Sequence, residues 1–143
     1  MMMTLDHALT IARETLAEGK RRGMAPLCCV VLDHGGHTLA LLRDENASIY
    51  RPEIATGKAA GCLGMGFGGR ELAKRAAAQP MFINGLQAAF PKGMLPVPGG
   101  VLIRAEDGTL LGAAGVTGDT SDNDEICALA GIAAAGLQAD TGA

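Results

Sequence analysis

Apolar positions recur along this chain at two different periods, which divide it into alternating helices and hairpins. Over residues 4–22, Leu5, Ala8, Leu9, Ala12 and Leu16 fall on one face at helical spacing. Thr4 is placed to cap that helix, and the basic end Lys20-Arg21-Arg22 before Gly23 suits its dipole. Pro26 bars any continuation. Residues 27–32 form a short apolar run read as a strand, and residues 38–43 return as a second; Asp33-His34-Gly35-Gly36-His37 between them is turn chemistry. Residues 49–66 are Ala-rich and read as a helix, weakened by Gly57, Gly61 and Gly64. Residues 70–78 predict a further short helix ending before Pro80. The stretch 80–98 holds four of the six prolines and reads as a packed loop with one helical turn at 86–90. A second hairpin follows, with strands at 99–105 and 109–116 around Glu106-Asp107-Gly108. The last helix is expected over 122–137, with Ser121 and Asp124 as a capping-box start and an apolar stripe of Ile126, Leu129, Ala130, Ala133 and Leu137. The tail from Gln138 onward gives no reason to be ordered. Hairpins bracketed by helices predict an α+β domain spanning 1–143, with an antiparallel sheet and its helices on one face.

Composition narrows the function classes. The chain has 143 residues, enough for one core; 48% are hydrophobic and 19% charged, a globular balance. Aromatics are only 3%, so the core must be aliphatic and base-stacking platforms are scarce. With a formal net charge of −3 as well, no nucleic-acid partner is expected. No stretch is long and apolar enough for a bilayer, and the start carries no basic, apolar leader pattern. Cys28, Cys29, Cys62 and Cys127 form no CxxC pair and read as reduced, buried thiols of a cytoplasmic protein. Cys28 and Cys29, being adjacent on a strand, should face opposite sides of the sheet.

Three stretches carry a family likeness. They are Val31-Leu32-Asp33-His34-Gly35-Gly36-His37 with Arg43-Asp44 downstream; Ile54-Ala55-Thr56-Gly57-Lys58-Ala59; and Pro98-Gly99-Gly100-Val101-Leu102-Ile103, Asp107-Gly108, Leu111 to Gly118, then Asp124-Glu125. Together they resemble the GlcG/HbpS group, which includes the C-terminal domain of PduO-type proteins. The resemblance covers nearly the whole chain and departs at Glu45-Asn46, where the family usually has Asp-Gly, and between about 67 and 95. It implies a profilin-like fold with a five-stranded antiparallel sheet and flanking helices. It also implies homo-oligomers from dimer to octamer, a small-molecule ligand, and haem as the cofactor of several members.

The candidate residues follow from charge placed among small apolar neighbours. Lys58 lies in an otherwise Ala- and Gly-rich helix, so it either snorkels to solvent or serves a buried anion. Arg43 ends a strand, and Arg51 is a third cation nearby in sequence; facing one pocket, these groups suit haem propionates or a small organic acid. Gly115-Val116-Thr117-Gly118 leads into a helix start, where bare amides and Thr117 could meet a ligand. Asp119, Asp122, Asp124 and Glu125 crowd that place and would repel an anion. Asp124 and Glu125 are therefore either dipole-favouring caps or, with one turned inward, a general base or a partner of Lys58 or Arg43. A cofactor-free isomerase, hydratase or lyase using Arg43 to hold a carboxylate, and Lys58 with Asp124 or Glu125 for proton transfer, is the alternative to ligand binding. His7 near the first helix start is a candidate haem ligand at a subunit interface, or a surface histidine. His34 and His37 flank a tight turn and lack a third donor beyond Asp33, so no metal site is expected. CxxCH is absent, as are nucleophile-elbow and phosphate-loop motifs.

Overall fold

The computed structural model describes all 143 residues. In chain order the elements are α1 (Leu5–Arg21), β1 (Cys28–Asp33), β2 (Thr38–Arg43), α2 (Arg51–Met65), α3 (Gly69–Ala78), α4 (Pro80–Leu86), β3 (Gly100–Arg104), β4 (Leu110–Thr117), α5 (Ser121–Ala134) and β5 (Gln138–Asp140). The strands form one five-stranded sheet in the order β2-β1-β4-β3-β5, antiparallel at every pairing. This is the α+β architecture with flanking helices that the resemblance implied.

The helices cover both faces of the sheet, not one as the hairpin pattern predicted. Cys28, Val30 and Leu32 pack with Ala55, Ala59 and Cys62 of α2 on one side. Cys29 and Val31 pack with Ile11 and Ala12 of α1 and Ala128 and Ile132 of α5 on the other. A strand buried on both faces has no use for polar alternation, which explains the unbroken apolar run of β1. The adjacent cysteines thus face opposite cores. No helix is long and apolar enough to cross a membrane.

Several local expectations change. Thr120, not Ser121, caps α5, accepting from the Asn123 amide at 3.2 Å. The helix stops at Ala134, Gly136 turns the chain at φ 73°, and the tail pairs with β3 as β5. Only three residues pair there, too few to leave a periodic signal. The buried face of α5 is Asp124, Glu125, Cys127, Ala128, Gly131 and Ile132, rotated from the predicted stripe. Small residues win that face because α1 lies close: a Cβ at Gly131 would stand 2.5 Å from the Ile11 carbonyl oxygen. The segment 80–98 contains α4, a single 3₁₀ turn at Gln87–Ala89, and a strap, residues 90–95, laid across α2.

Helix α2 sits against the backbone of the sheet. Gly100 of β3 and Gly115 of β4 are register partners beneath it. A Cβ at Gly100 would lie 2.6 Å from the Lys58 carbonyl oxygen, and one at Gly115 would overlap the Ala55 carbonyl. This close approach lets a side chain of α2 reach past the sheet to α5.

Candidate functional site

Lys58 makes that reach. Its Nζ donates to Asp124 Oδ2 at 3.0 Å and to the Val116 carbonyl at 2.9 Å, with side-chain exposures of 4% for Lys58 and 1% for Asp124. The same carboxylate accepts the Asp119 amide through Oδ1 at 2.9 Å. Burial raises the Asp124 carboxyl above the ordinary aspartate range, and the Lys58 ammonium and the Asp119 amide offset part of the rise. At these exposures the pair can hold the two faces of the fold together. Its atoms do not open onto a cavity.

Glu125 turns to a different partner. Arg70, at the start of α3, donates to Glu125 Oε1 through Nη2 at 2.9 Å and Nε at 3.1 Å, and to Asp122 Oδ1 at 2.8 Å. Glu125 Oε2 is buried without a hydrogen-bond partner among protein groups. The two adjacent acids of α5 thus take one cation each, from α2 and from α3. Arg70 was not legible in the sequence as a site residue, because nothing distinguished it from any charge in a helix's first turn.

Arg43 and Thr117 are both register partners of Cys28, on β2 and β4, and Arg51 reaches the same end of the sheet; His7 stands at the start of α1. Arg43 Nη1 donates to the carbonyls of Asp44 at 3.1 Å and Ala47 at 2.9 Å, bracing the loop after β2, and does not meet Lys58. Arg51 donates to Thr117 Oγ1 at 2.7 Å and Ser48 Oγ at 3.1 Å. Thr117 is buried and follows the residue whose carbonyl holds Lys58. His7 belongs to a capping box: Thr4 Oγ1 accepts the His7 amide at 3.0 Å, and His7 Nδ1 accepts the Thr4 amide at 3.3 Å.

The largest cavity, about 530 Å³, lies elsewhere, where the β1–β2 turn, α2 and the strap converge. Its polar wall is His34 and His37 with Lys92, whose ammonium donates to the Gly36 carbonyl. Its apolar wall is Ala60 and Leu63 of α2 with Phe90 and Pro91 of the strap. Asp33 fixes the turn by accepting the amides of Gly35 at 3.0 Å and His37 at 2.9 Å. Two imidazoles and an ammonium at the rim of an apolar cleft suit a flat ligand that carries carboxylates. Nowhere do three or more His, Cys, Asp or Glu side chains converge in a metal-holding arrangement.

A five-stranded antiparallel sheet covered by helices on both faces, with an open cleft beside α2, defines the class as an α+β domain of the HbpS type. The chain belongs to the HbpS-like family, whose model, described as haem degrading protein HbpS-like, matches residues 3–133. It is 30% identical over 135 residues to an uncharacterized 15.0 kDa protein of the dhaT-dhaS intergenic region in Citrobacter freundii, covering 87% of this chain and 93% of that one. A double-mutant form of Streptomyces reticuli HbpS superposes with a TM-score of 0.80 at 30% identity, over 93% of this chain and 86% of that one. A PduOC haem complex matches in fold, with a TM-score of 0.84 at 20% identity over 96% and 98% of the two chains.

Proposed function

We propose that this chain is a ligand-binding HbpS-like protein that takes haem, or a related planar ligand bearing carboxylates, in the cleft between His34, His37 and the strap at Phe90–Lys92. The observation that carries the reading is the make-up of that cleft. An apolar wall with one aromatic ring faces two imidazoles and one ammonium across about 530 Å³, within the usual range for small-molecule sites. The imidazoles are groups that can ligate haem iron, and Lys92 is a partner for a propionate. The family's description points to the same ligand. Lys58, the cation that stood out in the sequence, is left a structural role by its buried pairing with Asp124. The reading takes the protein as a cytoplasmic homo-oligomer; Leu41, Ile49 and Tyr50, exposed along the free edge of β2 and the start of α2, support the assembly. Light scattering at a monomer's mass would overturn that assembly.

The test is a haem titration of the apoprotein followed by absorbance, with His34→Ala, His37→Ala, Lys92→Gln and Lys58→Met. A saturable Soret band, displaced or weakened by a histidine change and weakened by Lys92→Gln, is expected. A featureless, non-saturable response would overturn the haem reading.

A second reading, proton transfer on a small carboxylated metabolite by Lys58 and Asp124, has one observation in its favour, that burial lifts the Asp124 carboxyl in the direction a general base requires, and it requires the closed pair to open to the substrate. It calls for turnover of a hydroxy- or oxo-acid that Lys58→Met abolishes in a folded protein.

A further inference from the structure

Helix α2 carries Gly57, Gly61 and Gly64 on one side, and each receives a residue of the strap that crosses it. A Cβ at Gly57 would touch Leu95 Cδ1 at 3.3 Å, one at Gly61 would stand 2.7 Å from Met94 Cγ, and one at Gly64 would overlap the Phe90 ring, with Cζ 2.8 Å away. The Leu95 amide donates to the Gly57 carbonyl at 3.1 Å, and Gln87 Nε2 donates to the Met94 carbonyl at 2.6 Å, so the far end of the strap is pinned. Met94 is fully buried.

The near end differs. Gly64 and Phe90 both line the cleft. The Phe90 side chain is only part-buried and Gly64 is exposed, so their contact is not part of the closed core. A glycine inside a helix is less stable there than an alanine. At Gly57 and Gly61 tight packing against buried or half-buried side chains accounts for that penalty. At Gly64 the nearest group a methyl would meet is the ring that forms the cleft's aromatic wall.

We infer that Gly64 and Phe90 form the specificity-determining pair of this cleft: the missing side chain at 64 seats the Phe90 ring against α2, and the ring's position there sets the width open to a flat ligand. The inference rests on the ligand-binding reading above, because it concerns the same cleft. It adds which residues decide what fits. An alanine at 64 drives the ring off the helix and into the space the ligand would use. Removing the ring as well reopens that space.

The test compares wild type with Gly64→Ala, Phe90→Ala and the double variant, each titrated with haem and with 1-anilinonaphthalene-8-sulfonate, a smaller aromatic anion. Gly64→Ala should weaken haem about tenfold or more, and the double variant should recover most of that loss. The two changes should therefore be non-additive by about threefold or more, as expected for residues in contact. A role in packing alone would lower the melting temperature and leave the relative affinities of the two probes unmoved. Haem binding to wild type and Gly64→Ala with equal affinity would overturn the inference and leave the haem reading standing. If wild type fails to bind haem, the haem reading falls. The same four proteins then decide the inference on the naphthalene probe: non-additive loss and recovery uphold it, and equal binding or none by all four overturns it.

Discussion

Lys58 Nζ and Asp124 Oδ2 meet at 3.0 Å across the end of the sheet, joining a helix on one face to a helix on the other. Removing one member of such a pair leaves the other charge buried and unpaired. Lys58→Met keeps the stem and removes the charge, and should destabilise the fold by about 3–5 kcal/mol in urea unfolding. Asp124→Asn should do the same, and the double variant should lose much less than the sum. Unchanged stability in Lys58→Met would move this lysine out of the scaffold and back among the candidates for chemistry.

Asp119 ties the start of α5 to the link between α1 and β1. Its carboxylate accepts the Ala25 amide at 2.9 Å, the Thr120 amide at 2.9 Å and Asn123 Nδ2 at 2.7 Å, and these bonds hold its pKa below the ordinary 3.8. A carboxyl depressed on folding contributes stability that is present above 3.8 and disappears as pH falls through its folded pKa. Asp124 runs the other way: raised on folding, it binds a proton more readily in the native state, so acid relieves its burial. The difference in unfolding free energy between wild type and Asp119→Asn should therefore be flat above about pH 5 and shrink below pH 4. A difference that grew on acidification would contradict the assigned bonds.

The four thiols are buried, and burial pushes them up to about 11 for Cys28 and Cys127 and about 12 for Cys29 and Cys62. At pH 8 almost none is thiolate, the reactive form. Native protein should react negligibly with Ellman's reagent at that pH, and protein in guanidinium should release the signal of all four thiols. A fast native reaction at any one of them would show a local opening that the packing does not predict.

The readable parts of this fold are those where physical causes are local. Thr4 caps α1, glycines turn both hairpins, and β1 is apolar because both its faces are covered. Lys58 stood out because a charge among Ala and Gly must go somewhere. Which acid meets it was not legible: Asp124 and Glu125 are neighbours, about 100° apart round the helix, and only the placement of α5 sends one to Lys58 and the other to Arg70. The cleft was illegible for a related reason. Its walls come from a turn at 34–37, a helix at 60–64 and the strap at 90–92 with Ala89 before it, and no pattern in any one of them signals the other two. His34 and His37 read as exposed turn residues, which they are, and the exposure is what gives them to the cleft.

The C-terminal strand is the last element whose weight can be tested. Gln138–Asp140 pairs with β3, Asp140 Oδ2 accepts Arg104 Nε at 3.0 Å, and the Thr141 carbonyl accepts the Arg70 amide at 3.0 Å at the start of α3. Gly68 lies so close to Thr141 that a Cβ there would overlap its backbone. Ending the chain after Leu137 removes all of these contacts and leaves β3 as an open edge. With each hydrogen bond worth about 0.5–1.5 kcal/mol, the truncated protein should lose on the order of 2 kcal/mol in urea unfolding. Amide exchange should quicken at Leu102 and Arg104 on β3 and at Arg70 on α3, while Cys29 to Val31 in the middle of the sheet stay protected. Because Arg70 also holds Glu125, loosening at α3 should spread to the first turn of α5. If exchange quickened on β3 alone, the tail would be an edge strand only and no part of the anchor of Arg70.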